Sequence, residues 1–197
     1  MKKYWQEIEG WILANGPPMM GTLNGPATAG DLKMLEAKLD QQLPQDFKDF
    51  LSVHNGQKGR SLALFDRDTM SNLEEIGIVW EFCNEMLPSL DDYCQRSFGV
   101  KMSSTPDAGI NDHWWSASWI PITSDGAGNH ICIDLDPAEG GTKGQIIRMW
   151  HDDPGRALLA PSFSEWIGNY VADLKNGKYQ FEDDGSIGGI VKVADVD

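Results

Sequence analysis

The chain has 197 residues and a formal net charge of −14, from 16 Lys and Arg against 30 Asp and Glu. The length suits one globular domain, which we expect to span residues 1–197, and a hydrophobic content of 41% argues against a disordered chain. So acidic a chain is a poor partner for nucleic acid, because neutralising phosphates requires a basic face. The charge leaves two interpretations open, a solubilising surface or a surface made for a basic partner.

The N-terminus and the cysteines indicate the compartment. The opening MKKYWQEIEGW lacks the apolar segment of a signal peptide, and no apolar run in the chain is long enough to span a bilayer. Cys83, Cys94 and Cys132 are widely spaced and odd in number, which is typical of neither a disulfide framework nor a zinc site. We therefore expect a cytoplasmic protein with no cofactor and no membrane insertion.

Three helices are predicted before residue 56. Apolar residues at helical spacing predict a first helix over residues 4–13, ended by Gly16-Pro17-Pro18. Thr28 with Asp31 three residues later predicts the start of a second helix. The third helix is expected to begin at Pro44 and to end at a left-handed cap formed by Asn55-Gly56.

A short strand and a longer helix are predicted next. Residues 62–65 favour a strand, and Ser71 with Glu74 is the pattern of a capping box. The helix that follows would be stopped by Pro88. The apolar side chains expected to face inward are Leu73, Ile76, Val79, Trp80, Cys83, Met86 and Leu87. Residues 88–118 give no clear pattern.

From Ile120 onward the hydrophobic period changes to two. Ile131, Ile133 and Leu135 alternate with polar residues, and a further strand over 145–150 predicts an antiparallel meander of at least three strands. Ser162 and Glu165 form a capping box before a final helix that ends at Asn176-Gly177.

The tail, residues 181–197, has two interpretations: an added hairpin strand or a loosely held terminus. The predicted order of elements is a group of helices, then an antiparallel or mixed central sheet, then a last helix. This order predicts an α+β fold.

Searches for catalytic chemistry give little. The chain has no phosphate-binding glycine loop, no nucleophile elbow and no zinc-protease motif. A thiol nucleophile at Cys132 would have His130 or His151 as its base, but nothing in the sequence lowers the pKa of that thiol. The best candidate metal ligands are Asp125, Asp134 and Asp136 with those two histidines. A solvated outer face of the strand explains the same residues without a metal ion.

The cluster His113-Trp114-Trp115 also has two interpretations. Tryptophans are common in interface hot spots, so Trp114 and Trp115 are candidates for an exposed binding patch. They could equally plug the core over the sheet. Adjacent residues of an extended segment point to opposite sides, so the pattern does not choose between the two.

Four segments in order resemble one known family, the Smi/Knr cell-wall-assembly regulators of the SUKH superfamily. They are TAGDLKMLEAKLDQQLPQDFKDFLSVHNGQ, WIPITSDGAGNHICIDLDP, GGTKGQIIRMWHDD and LLAPSFSEWIGNYVADLKNGKY. The leading WQEIEGWIL extends the resemblance to about residues 4–180, so the tail lies outside it. Positions that match the family pattern are Leu43, Pro44, Phe47, Phe50, Asn55, Gly56, Trp119, Pro121, Asp125, Gly128, Asn129, Asp134, Gly144, Gln145, Ser162 and Phe163.

The resemblance implies a single α+β domain without known enzymatic activity. Fungal members regulate cell-wall synthesis, and bacterial members are largely thought to be immunity proteins that bind and neutralise toxin domains. Together with the charge, this favours a non-enzymatic immunity protein whose partner is a basic toxin domain. A regulator or scaffold of cell-wall assembly is the alternative, and a metal-dependent enzyme on the acidic strand is a third hypothesis. The candidate partner-binding residues are Trp114, Trp115, Asp125, Asn129, His130, Asp134 and Asp136.

Overall fold

The computed structural model describes residues 1–59, 62–183 and 188–193, with backbone alone at residues 87 and 88. The first helices are α1 (Lys2–Asn15), a 3-10 helix (Pro17–Thr22), α2 (Ala29–Leu39) and α3 (Gln45–Leu51). As predicted, α1 ends before Gly16, and Thr28 and Asp31 form a reciprocal capping box at the start of α2. The side chain of Thr28 accepts from the backbone N–H of Asp31, whose carboxylate accepts from the N–H of Thr28 at 3.1 Å.

The predicted cap of α3 at Asn55-Gly56 is wrong. The helix ends at Leu51, with Ser52 as its C-cap. Gly56 does adopt a left-handed backbone (φ 66°), but its role is a close approach of two chain segments. A β-carbon there would lie 2.5 Å from the backbone nitrogen of Asn72, so a side chain would push these segments apart.

Two short strands, β1 (Leu62–Ala63) and β2 (Thr69–Met70), lead into a long helix, α4 (Leu73–Phe98). Its capping box is Asn72 with Glu75, one residue later than predicted. The prediction that Pro88 stops this helix is also wrong, since α4 continues for ten residues to Gly99, which caps it with φ 69°. Proline lacks the N–H that would donate to the carbonyl of Asn84, so one helical hydrogen bond is missing at this point of α4.

A five-stranded mixed sheet forms the centre of the fold. Its strands in spatial order are β3 (Thr105–Pro106), β8 (Gly155–Ala160), β7 (Gln145–Met149), β6 (His130–Asp134) and β4 (Trp119–Pro121). β3 pairs in parallel with β8 and the other pairs are antiparallel, which confirms the predicted antiparallel meander for β4, β6 and β7, whereas β8 was not predicted. β5 (Thr123–Ser124) pairs separately with β2. The α+β class and the mixed sheet are as expected.

The last helix, α5 (Phe163–Lys175), begins at its predicted cap. The Ser162 hydroxyl accepts from the N–H of Glu165 at 3.1 Å. The tail then forms a hairpin of β9 (Tyr179–Glu182) and β10 (Gly188–Lys192), and β10 pairs in parallel with β1. The added-strand interpretation is therefore correct for this part of the tail, while residues 184–187 and 194–197 lie outside the described residues.

Both faces of the central sheet are covered. On one face, Ile131 and Ile133 join a large core formed with α1, α3 and α5. On the other, Cys132 packs with Trp119 and Ile147 in a second cluster, near α4. The expectation that β6 has a solvated polar face is therefore wrong, because all five of its residues are buried. Among the described residues, no helix combines the length and apolar character needed to cross a membrane.

Candidate protein-binding site

A groove of about 680 Å³ lies between the middle of α4 and the turn that joins β5 to β6. One wall is formed by Phe82, Met86, Leu90 and Tyr93, at intervals of four, four and three residues. This spacing places them on one helix face, because an α-helix has 3.6 residues per turn. Their exposed fractions are 59%, 51%, 42% and 59%, so the predicted inward orientation of Met86 is wrong.

The opposite wall is a turn built around Asp125. Its carboxylate accepts from the N–H groups of Ala127 at 2.8 Å and Asn129 at 3.1 Å, and from the Asn129 side-chain amide at 2.6 Å. Partial burial would raise the pKa of Asp125, but these hydrogen bonds and nearby Arg148 lower it below its ordinary value. Gly126 and Gly128 have positive φ, a backbone conformation that favours glycine. Because glycine has no side chain, these positions leave the wall of the groove open.

The floor of the groove combines Cys83, His130 and Met149. His130 is 5% exposed, and its Nδ1 lies 2.7 Å from the carbonyl oxygen of Thr123. At the rim, the backbone N–H of His151 donates to the Oδ1 of Asn129 at 2.9 Å. The imidazole of His151 is exposed. The turn and the end of β7 are thereby held together on one side of the groove.

An ion pair between a buried carboxylate and a partly exposed arginine supports this wall, and it was not predicted from the sequence. Asp68 is 1% exposed and contacts the Arg148 guanidinium, while the Thr123 hydroxyl donates to Asp68 at 2.8 Å. Arg148 Nη2 also lies 3.9 Å from the carboxylate of Asp125. Burial raises the pKa of Asp68, although Arg148 opposes the shift. The two partners are 80 positions apart, so no local pattern in the sequence points to the pair.

Trp114 and Trp115 have different environments. Trp114 lies partly exposed at the groove, as a binding patch would, and Trp115 packs against the core, as a core plug would. Trp114 is half-buried at the groove, with the guanidinium of Arg156 lying 5.1 Å from its ring centre. Arg156 is 1% exposed and donates to the Trp114 carbonyl at 2.7 Å. Trp115 instead packs against the second core cluster and donates from Nε1 to the Oδ1 of Asn84 at 2.9 Å.

Asp134 and Asp136 lie away from the groove, at the other end of β6. Asp134 is fully buried and accepts from the side-chain amide of Gln145 at 2.8 Å and the N–H of Asp136 at 3.0 Å. Burial raises the pKa of Asp134. Asp136 is exposed, just beyond the strand. Of the seven predicted residues, Trp114 and His130 line the groove, and Asp125 and Asn129 hold the turn of its wall without lining it. Trp115, Asp134 and Asp136 lie elsewhere.

The enzyme hypotheses gain no support from this geometry. Within residues 1–59, 62–183 and 188–193, no group of three or more His, Cys, Asp or Glu side chains is placed to hold a metal ion. Burial raises the pKa of the Cys132 thiol well above its usual range, and that of Cys83 to about 11. A thiol in that environment is a poor nucleophile because little thiolate forms near neutral pH. The groove is instead suited to binding apolar side chains.

Comparison with known proteins identifies the family. The profile of the SMI1/KNR4 family (SUKH-1) matches residues 26–169, which is most of the chain. This chain belongs to that family. The match includes α2 to α4, the central sheet and the first half of α5, and therefore both walls of the groove.

Three fungal relatives align with 91% of this chain. They are a glucan synthesis regulatory protein of Neurospora crassa (25% identical), a cell wall biosynthesis/cell cycle regulator of Schizosaccharomyces pombe (28%) and a cell wall assembly regulator of Saccharomyces cerevisiae (24%). The chain spans only 39%, 37% and 41% of their respective lengths. All three are named as regulators.

Proposed function

We propose that this chain is a non-enzymatic, protein-binding regulatory domain that acts in cell-wall assembly. The observation that carries the proposal is family membership, with relatives named as regulators of wall or glucan synthesis aligned over 91% of the chain. Of the functions predicted from sequence, this is the alternative, and it is better supported than immunity. The three cysteines are free thiols, which fits action in the reducing cytoplasm.

The groove between α4 and the β5–β6 turn is the proposed contact surface. Large apolar side chains exposed together are typical of protein-interaction sites, whereas single exposed ones are ordinary. Four of the predicted partner-binding residues line or border this groove: Trp114, Asp125, Asn129 and His130. We assign the other three, Trp115, Asp134 and Asp136, no direct contact with the partner. Because the chain spans less than half of the three fungal relatives, the proposal concerns this domain alone.

Deleting the gene for this chain in its own organism tests the proposal. We expect the deletion strain to be hypersensitive to wall-degrading enzymes and to dyes that bind wall polymers, and we expect osmotic support to rescue it. Expression of the native chain should restore resistance. A deletion strain with unchanged wall composition and unchanged sensitivity would contradict the proposal.

Immunity remains the competing prediction, favoured by the net charge of −14. An acidic surface accelerates association with a basic toxin domain and strengthens the complex at low salt. The genes next to this one distinguish the two functions. A neighbouring toxin that the purified chain neutralises would favour immunity, whereas neighbouring wall-synthesis enzymes and a wall phenotype would favour regulation.

A further inference from the structure

We propose that the groove binds an amphipathic α-helix with a basic polar face, supplied by a partner protein. This inference rests on the protein-binding part of the proposed function and names the chemistry of the partner. It draws on three features of the described residues: the spacing of the apolar wall, the small residues opposite it and the charge along α4.

The apolar wall has the repeat that helices use to pack on helices. Val79 also lines the groove and extends the apolar wall by one turn. Val79, Met86 and Tyr93 are seven residues apart, and Phe82 and Leu90 lie between them at intervals of three or four. Such a stripe accepts the side chains of a second helix between its own. From Val79 to Tyr93 it extends about 21 Å at 1.5 Å per residue, so a partner helix of about four turns would cover it.

The facing wall leaves room for that helix. Gly126, Ala127 and Gly128 present no side chain larger than a methyl group to the groove. The hydrogen bonds to Asp125 and the ion pair of Asp68 with Arg148 hold this turn in place. A preformed wall lowers the entropy cost of binding, since little of the site has to become ordered.

The charge along α4 selects a basic partner. The helix carries six carboxylates and one arginine between residues 73 and 98. Glu85 and Asp92, seven residues apart and both exposed, follow one edge of the apolar wall, although Asp92 already pairs with Arg96 at 2.7 Å. Asp152 and Asp153 are exposed beyond His151 on the other side. Lysines or arginines of a bound helix would approach carboxylates on both flanks, whereas a second copy of this acidic chain would be repelled.

A designed peptide provides the first test. The probe is an 18-residue helix with leucines at heptad positions a and d and lysines at e and g, and the control peptide has glutamates in place of the lysines. Fluorescence anisotropy should show binding of the lysine peptide that weakens about tenfold between 50 and 300 mM salt, because exposed charge pairs are screened. The glutamate peptide should bind at least about tenfold more weakly. Equal binding of the two peptides, or none, would overturn the inference.

Variants locate the binding surface. The double variant Phe82→Ala, Met86→Ala removes apolar side chains that are already exposed, so its fold should be intact, and the affinity for the lysine peptide should fall at least about tenfold. Leu13→Ala is the matched control, since Leu13 is 60% exposed on α1, outside the groove, and its affinity should be unchanged. Undiminished binding by the double variant would contradict the proposal. So would a native dimer in sedimentation that the double variant dissociates, because a second copy would then occupy the groove.

Complementation separates this inference from the proposed function. If the deletion strain has a wall phenotype and the double variant restores resistance as well as the native chain, the groove inference fails and the regulatory function stands. If deletion has no wall phenotype, the regulatory proposal fails, and peptide binding still decides the inference about the groove.

Discussion

Arg148 is the residue on which the buried carboxylate of Asp68 depends. Arg148→Met removes its cation and leaves a carboxylate that is 1% exposed, which should lower the free energy of unfolding by about 3–5 kcal/mol at pH 7. Burial already raises the pKa of Asp68, and loss of the cation raises it further, so protonation relieves the penalty. The decrease in the free energy of unfolding caused by Arg148→Met should therefore be smaller near pH 4.5 than at pH 7. Urea unfolding of the native chain and the variant at both pH values measures it.

Arg96→Met is the matched control for that experiment. Arg96 pairs with Asp92 at 2.7 Å, but both side chains are more than two-thirds exposed. Such pairs contribute about 0–1 kcal/mol, so this variant should unfold almost as the native chain does. An equal decrease in the free energy of unfolding for Arg148→Met and Arg96→Met would show that Arg148 does not stabilise the buried carboxylate of Asp68.

Asp125 should make the stability of the turn depend on pH. The pKa of Asp125 is lowered in the folded chain. Its contribution to the free energy of unfolding is therefore complete above the pKa of the unfolded chain, about 3.8, and is lost as the pH falls through the pKa of the folded chain. Asp125→Asn should lower the free energy of unfolding by about 1 kcal/mol at pH 7, and the difference should narrow below pH 4. The measurement is urea unfolding from pH 7 to pH 3. The control Glu139→Gln changes an exposed carboxylate outside the turn and should alter the free energy of unfolding at pH 7 by no more than about 0.5 kcal/mol.

At the scale of elements, the contact between β1 and β10 depends on Gly189. This residue has φ 130°, and a β-carbon on it would lie 2.2 Å from the carbonyl oxygen of Ala63. Gly189→Ala should therefore lower the free energy of unfolding by about 2–3 kcal/mol. Gly21→Ala, where no atom lies within 4 Å of the added carbon, should change it by no more than about 0.5 kcal/mol. Urea unfolding of both variants measures the difference, and similar stabilities would contradict the prediction.

The elements that could be predicted are those specified by local pattern. The end of α1 before Gly16, the start of α5 after Ser162 and the cap at Thr28 depend on residues within one or two turns, and they were predicted from the sequence. The passage of α4 through Pro88 could not be predicted in this way. On either side of Pro88 the helix is held by hydrogen bonds from the Trp115 indole to Asn84 and from the N–H of Met102 to Asp91. These partners lie 31 and 11 residues away, so no helical pattern indicates them.

The candidate site was predictable only in part, for the same reason. The turn residues Asp125 and Asn129 belong to a motif of five residues, so their type and spacing identify them. Met86 of the apolar wall was expected to face the core, because periodicity does not tell which face of a helix is covered. Leu90 and Tyr93 lie in the part of α4 that was not predicted to be helical. Asp68 precedes β2 and Arg148 lies in β7, so the two side chains meet only when folding brings these distant segments together.

At the scale of the whole molecule, the net charge of −14 should make stability rise with salt. Repulsion among like charges destabilises the compact state, and salt screens it. The exposed ion pairs act in the opposite direction, but each contributes little, as for Arg96 with Asp92. In urea, we therefore expect the free energy of unfolding to be higher at 300 mM than at 20 mM NaCl, by about 1 kcal/mol. The variant Glu85→Lys, Glu139→Lys changes two exposed carboxylates and reduces the net charge to −10 (−14 + 4). Its free energy of unfolding should rise less between about 20 and about 300 mM NaCl than that of the native chain. A native chain that becomes less stable in salt would show that attractive pairs outweigh the repulsion.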